Sequence, residues 1–108
     1  MKLPTETFGD VIVAHTPEEL SGDTADQLEQ VLTGLDRVNV VLDISGSETI
    51  DSGGLEAICT AQEALRALGG DLKVSTTSSV NRKILEITRL DEQIEVYEAV
   101  IDAVRSFV

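Results

Sequence analysis

Aromatic residues and cysteine are scarce in this 108-residue chain. Tryptophan is absent, aromatic residues make up 3% of the sequence, and Cys59 is the one cysteine. A single thiol excludes an intramolecular disulfide and a thiolate metal cluster, and it fits a reducing compartment. Since 42% of the residues are nevertheless apolar, the chain can bury a core, and that core must be largely aliphatic.

Positive charge is scarce as well, because 8 basic residues stand against 20 acidic ones and give a net charge of −12 at pH 7. Such a surface repels phosphate backbones and anionic lipid headgroups, so we expect neither nucleic-acid binding nor direct membrane binding. No apolar run approaches the ~20 residues of a membrane span. The N-terminal segment also lacks the apolar stretch of a signal peptide, so the expected location is the cytoplasm.

The hydrophobic pattern predicts alternating strands and helices. A hairpin links an edge strand within residues 2–8 to a strand at 11–15, and the β-branched run at 38–44 predicts a buried central strand. Helical spacing follows Ser21 and recurs through 55–68, 80–87 and 97–108, with shorter strands at 71–75 and 93–97. The expected core includes Val40, Leu42, Leu55, Ile58, Leu65, Ile84 and Val104.

The order of these elements, ββαβαβαβα, predicts an α/β fold. We expect a single domain over residues 1–108, with a mostly parallel sheet of four to five strands and about four helices. Val80, Ile84 and Ile87 mark one face of the third helix.

The stretch Asp51-Ser52-Gly53-Gly54-Leu55 follows the carboxyl end of the predicted central strand, where parallel sheets gather their functional surfaces. If Ser52 caps the helix, its hydroxyl lies where backbone amides and the helix dipole favour negative charge. Glycines there let another molecule approach closely. The same residues also make an ordinary capped turn, because Ser and Asp are common N-caps and glycine is common in loops. Spacing alone favours the ordinary turn.

Catalytic interpretations of this segment lack their partners. A nucleophilic serine needs a base, and the one histidine, His15, ends an early strand just before Pro17. The GxSxG elbow and the phosphate-binding G-K-[ST] ending are both absent. Asp43 reads as a hydrogen bonder at a strand end, and Cys59 lies on an apolar helix face. We therefore expect no enzyme, no metal site and no cofactor.

Several motifs in order resemble the STAS domain of anti-sigma factor antagonists, from about Gly9 to Arg105. Residues 43–45 (DIS) and 51–55 (DSGGL) match the family's strand end and helix start, and GGDLKV and ITRLDEQIEVYEAV match later segments. The resemblance implies a bacterial phosphoprotein that acts by binding in transcription regulation. Its partner is an anti-sigma factor that is also a serine kinase and phosphorylates Ser52. The unphosphorylated form holds this kinase and so releases a sigma factor, and a phosphatase resets the cycle.

The resemblance also implies a partner-binding surface around the serine and in the loop after the second strand: Asp51, Gly53, Gly54, Leu55, Ser21, Asp23 and Thr24. The family's G-E-L-D becomes Glu18-Glu19-Leu20-Ser21 here, so that Asp23 is the nearest following carboxylate. One alternative keeps the fold without the switch, as a constitutive STAS adaptor in a lipid-transport or stressosome-like complex. Nucleotide binding is a third possibility, although phosphate-loop residues are missing. A monomer or weak dimer is expected.

Overall fold

The computed structural model describes residues 2–21 and 27–107, in which strands and helices alternate. The strands are β1 Thr5–Phe8, β2 Val11–His15, β3 Glu19–Leu20, β4 Asn39–Asp43, β5 Thr49–Ile50, β6 Asp71–Ser75 and β7 Val96–Tyr97. The helices in these ranges are α1 Leu28–Thr33, α2 Ser52–Ala67, α3 Ser79–Ile87 and α4 Val100–Arg105, with a 3-10 turn at Leu90–Glu92. The predicted order is confirmed, and the short strands β3 and β5 are added to it.

Five strands form the main sheet in the order β1-β2-β4-β6-β7. β1 and β2 are antiparallel and turn at Gly9, whose φ of 60° suits glycine, while all other pairs in this sheet are parallel. Each of α1, α2 and α3 joins one parallel strand to its neighbour, so right-handed crossovers place the three helices on one face. α4 covers the opposite face. The predicted α/β fold, with a mostly parallel sheet, is confirmed.

Alternation along the strands divides the core between the two faces of the sheet. Ile12 and Leu42 point into the larger cluster with α1, α2 and α3, while Val13 and Val41 pack with Val104 of α4. Five of the seven expected core residues are buried, and the other two, Leu55 and Ile84, are half-buried. The buried ones are Val40, Leu42, Ile58, Leu65 and Val104.

The apolar face that the sequence marks on α3 does not face the core. Val80 and Ile87 are 64% and 70% exposed, and the buried residues of this helix are Asn81 and Leu85. Ile84, on the same marked face, is half-buried. α3 turns Asn81 inward because its side-chain amide donates to buried backbone carbonyls of the loop between β4 and β5, which need hydrogen-bond donors.

Candidate functional site

A second, two-stranded sheet lies at the carboxyl edge of the main one and is formed by β5, in the connection from β4 to α2, and β3, in the connection after β2. β3 and β5 are parallel, and Leu20 pairs with Ile50. The backbone amide of Glu48 donates to the Glu18 carbonyl at 2.7 Å, and that of Asp51 donates to the Leu20 carbonyl at 3.3 Å. The loop after β2 is thereby fastened beside the start of α2. Two-residue strands are too short for alternation to show in a sequence, so this ladder was not predicted.

Asp51 is the residue that caps α2. Its backbone is extended, and its carboxylate Oδ1 accepts a hydrogen bond from the Gly54 backbone amide at 2.9 Å. Ser52 is the first helical residue and is exposed, and its hydroxyl has no hydrogen-bond partner within the described part of the chain. Asp51 rather than Ser52 is therefore the cap, and the Ser52 hydroxyl is exposed at the start of a first turn in which Gly54 is buried.

The two glycines at this helix start have different environments. Gly54 is buried, and a Cβ there would overlap the carbonyl oxygen of Leu20 and lie 3.3 Å from the Ile50 Cγ2 atom. A glycine is therefore required at position 54 for α2 to approach the loop after β2. Gly53 is half-exposed. The expected role of leaving room for a partner thus fits Gly53 but not Gly54.

Asn81 of α3 holds the loop between β4 and β5 in place. Its Nδ2 donates to the carbonyls of Ile44 at 2.9 Å and Ser47 at 3.1 Å. From the other side, the Ser47 hydroxyl donates to the Pro17 carbonyl and lies in hydrogen-bond contact with the Thr16 hydroxyl. The loop that leads to Ser52 is therefore fixed from two elements. Sequence reasoning missed Asn81, and its amide among apolar helix residues is the signal that could have found it.

His15 and Asp43 form a polar pair at the carboxyl ends of β2 and β4. The His15 Nδ1 lies 2.8 Å from Asp43 Oδ2, and its Nε2 lies 2.8 Å from Glu6 Oε1 on β1. Burial by itself lowers the pKa of His15, but the hydrogen bonds and charges of the two carboxylates outweigh it and raise that pKa above its usual value.

Asp43 shows the opposite shift. Burial would raise the pKa of its carboxyl, but hydrogen bonds from Ser45 and His15, together with the charge of His15, hold that pKa below its usual value. One of these bonds runs from the Ser45 backbone amide to Asp43 Oδ1 at 3.1 Å. Asp43 is therefore the strand-end hydrogen bonder that the sequence predicts.

A groove of about 490 Å³ lies where β6 ends and α3 begins. Ser78 caps α3 by accepting a hydrogen bond from the Asn81 backbone amide at 3.2 Å. The groove is lined by hydroxyl and charged residues: Thr76, Thr77, Ser78, Ser79, Arg82, Lys83, Glu86 and Glu98. Its two cations are matched by two carboxylates, so its charged side chains carry no net charge.

The remaining predicted site residues lie close to the carboxyl edge of the main sheet or outside the described residues. Ser21 is half-buried directly after β3, which pairs with β5, and Leu55 is half-buried against the core. Asp23 and Thr24 fall outside the described residues. The structure therefore brings Ser21 to the same edge as Asp51 and Ser52.

Cys59 is not an activated thiol, and the described residues form no metal-binding cluster. Cys59 is half-buried, and burial together with the charges of Glu63 and Glu56 raises the pKa of its thiol, so this thiol stays protonated at neutral pH. Within residues 2–21 and 27–107, no cluster of three or more His, Cys, Asp or Glu side chains could hold a metal ion. In the same ranges, no helix has both the length and the apolar character needed to cross a membrane.

Comparison with known proteins assigns this arrangement to a family. The model of the STAS domain matches residues 2–103. The chain belongs to the STAS domain family. No curated protein matches the sequence of this STAS domain.

Solved structures share its fold over nearly the whole chain. A Thermotoga maritima protein has a TM-score of 0.85 at 20% identity, with 96% of this chain and 92% of that chain covered. An anti-sigma factor antagonist from Mycobacterium paratuberculosis has a TM-score of 0.83 at 25% identity, covering 97% and 92%. The Bacillus cell fate determinant SpoIIAA, in its phosphorylated form, has a TM-score of 0.71 at 14% identity, covering 99% and 100%. The Thermotoga and Bacillus likenesses concern the fold.

Proposed function

We propose that this STAS domain is an anti-sigma factor antagonist that is switched by phosphorylation of Ser52. The observation that carries the proposal is the exposed Ser52 hydroxyl, held at the first residue of the 16-residue helix α2 within the DSGGL motif. Family membership and the anti-sigma factor antagonist from Mycobacterium paratuberculosis support the general role. The phosphorylated form of SpoIIAA, on the same fold, supports the switch.

In the proposed cycle, the domain acts by binding, and the chemistry belongs to its partners. The unphosphorylated domain binds an anti-sigma factor with serine kinase activity, and the sigma factor is released. The kinase transfers the γ-phosphoryl group of ATP to the Ser52 oxygen, ADP leaves, a base of the kinase takes the hydroxyl proton, and the complex then separates. A phosphatase hydrolyses the phosphoserine and restores the binding form. The proposed setting is the cytoplasm of a bacterium, with the domain as a monomer or weak dimer.

Charge is the physical basis proposed for the release. A phosphate adds about −1.5 to −2 charge beside the exposed Asp51, on a chain whose net charge is already −12. Like charges about 6 Å apart repel by about 3 kcal/mol at an effective dielectric of 20, whereas a helix N-terminus returns only about 0.3–1 kcal/mol. In the free domain the phosphate can turn to water. In a complex it would be desolvated, and a loss of about 3 kcal/mol weakens binding about a hundredfold.

The partner surface proposed around Ser52 includes Asp51, Gly53 and Leu55, with Ser21 from the adjacent loop. Asp23 and Thr24 continue that loop in the sequence and belong to the proposed surface. Gly54 contributes indirectly, because its backbone holds α2 against Leu20.

A constitutive STAS adaptor, in which Ser52 is never phosphorylated, is the second candidate. One observation favours it: the Asp51 carboxylate already accepts from the Gly54 amide, which a phosphate at this helix start would otherwise use. The two candidates predict the same fold and the same binding edge. They differ only in the chemistry of one hydroxyl.

Phosphosite mapping of the protein isolated from its native host separates the two candidates. Ser79 is an internal control, because it is also exposed and is the first residue of α3 after a capped start. The switch predicts one phosphate on Ser52, none on Ser79, and none on a Ser52→Ala variant expressed in the same host. Unmodified Ser52 across growth and stress conditions would favour the adaptor.

A further inference from the structure

His15 makes more hydrogen bonds than a neutral imidazole can donate. Both ring nitrogens lie 2.8 Å from a carboxylate oxygen, of Asp43 on one side and Glu6 on the other. Ionised carboxylates only accept, and a neutral histidine has a single N–H. Both bonds therefore form together only when the ring carries two protons and a positive charge.

We propose that Glu6, His15 and Asp43 form a pH-sensitive clasp that ties the edge strand β1 to the loop leading to Ser52. The clasp is closed when His15 is protonated and opens when the ring becomes neutral. It spans three adjacent strands, because Glu6 lies on β1, His15 on β2 and Asp43 on β4. The inference is independent of whether Ser52 is phosphorylated.

The bond to Glu6 is the one that opens. The Glu6 side chain is 58% exposed and can turn to water, whereas the Asp43 side chain is 15% exposed. Asp43 is also held by the Ser45 backbone amide. A neutral His15 therefore keeps its proton on Nδ1, donates to Asp43, and presents the lone pair of Nε2 to the Glu6 carboxylate, which moves away.

The closed clasp is the first part of a hydrogen-bonded series that reaches the groove before α3. From Asp43 the series continues to the Ser45 amide, and the Ser45 hydroxyl accepts from the Thr77 backbone amide at 2.9 Å. Thr77 lines the groove. Protonation of His15 thus joins the edge strand β1 to this series, and loss of the proton releases β1 from it while the bonds from Asp43 onward remain.

Among the described residues, the charged groups that contact His15 are the carboxylates of Glu6 and Asp43. β1 contributes Glu6 and β4 contributes Asp43. α4 turns Val100, Ala103 and Val104 toward the strands, and its charged residues, Asp102 and Arg105, are exposed. The carboxylates raise the pKa of His15 despite burial, so the clasp is closed below the ordinary value of about 6.5 and is lost as pH rises through the higher value of the folded state.

Nitrogen-detected NMR of the imidazole ring tests the clasp directly, since His15 is the one histidine in the chain. The wild-type ring should titrate above pH 6.5, with the Nδ1–H tautomer on the alkaline side. Glu6→Gln should lower the His15 pKa by about one pH unit, because the opposite charge is gone. The control Glu63→Gln removes one charge from the exposed surface of α2 and should leave the titration unchanged.

Urea unfolding at pH 6 and pH 8 measures how much the closed clasp stabilises the domain. The midpoint of the wild type should be higher at pH 6, and His15→Gln should remove that difference while still folding. A His15 pKa at or below 6.5, or equal titration in Glu6→Gln and Glu63→Gln, would overturn the clasp. A midpoint difference that persists in His15→Gln would overturn it as well.

Discussion

The backbone of Gly54 lies against the carbonyl oxygen of Leu20, so closely that a Cβ at position 54 would overlap that oxygen. This contact joins the first turn of α2 to β3, which contains Leu20. The Asp51 amide donates to the same Leu20 carbonyl, so the exposed serine between them is set on a rigid support.

Gly54→Ala should destabilise the domain even though alanine favours helices. Overpacking costs about 1–3 kcal/mol, which exceeds the gain of about 1 kcal/mol in helix propensity. Gly46→Ala is the matched control, because its Cβ would lie 3.7 Å from the Thr16 carbonyl oxygen, an ordinary contact. The control should change the free energy of unfolding by less than about 1 kcal/mol. Equal urea midpoints for the two variants would contradict the close approach.

Asn81→Ala should lower the free energy of unfolding by about 2–5 kcal/mol, because the Ile44 and Ser47 carbonyls lose their buried donor. Asn81→Asp, which has the same shape, should cost at least as much because a carboxylate would face two carbonyl oxygens. Chemical denaturation measures both variants. An Asn81→Asp domain as stable as the wild type would show that the amide does not hold the loop.

Truncating isoleucines on two helices tests which faces are buried. Ile58→Ala in α2 should cost about 2–5 kcal/mol, because this side chain is fully buried. Ile87→Ala in α3 should change stability by less than about 0.5 kcal/mol, because its side chain is 70% exposed. A large loss for Ile87→Ala on thermal unfolding would mean that the sequence-marked face of α3 does face the core.

Acid should weaken the domain partly through Asp43. The pKa of this carboxyl is lowered in the fold, so its contribution is present above its usual value of 3.8 and is lost as pH falls through the lower value. Asp43→Asn should therefore lose less stability than the wild type between pH 5 and about pH 3. Asp36→Asn, at an exposed turn, is the charge control and should keep the wild-type slope. Identical slopes for both variants would contradict the role of Asp43.

The main sheet could be predicted because its central strand is apolar toward both faces, which gives a nearly continuous β-branched run. The β-branched run at 38–44 contains β4, and the Gly9 turn separates two strands as expected. The side of α3 that faces the core could not be predicted, since helical spacing groups residues on one face without showing whether that face is turned inward. The inward side is determined by Asn81, whose amide donates to two backbone carbonyls of a loop that is distant in sequence.

The candidate site was predictable in place but not in detail. Ser52 lies beyond the carboxyl end of β4, as strand order and motif indicate. Asp51 and Ser52 are both good caps by residue type, so only the extended backbone of Asp51 distinguishes them. The need for glycine at position 54 comes from Leu20, which is remote in sequence and is brought near by a ladder of two-residue strands.

Calorimetric titration of the cognate anti-sigma kinase, without ATP, tests the proposed switch most directly. Ser52→Ala should bind like the wild type, and Ser52→Glu should bind about a hundredfold more weakly. Ser79→Glu places the same charge at the neighbouring helix start and should leave the affinity unchanged. Equal affinities for the wild type, Ser52→Ala and Ser52→Glu would contradict the phosphorylation switch.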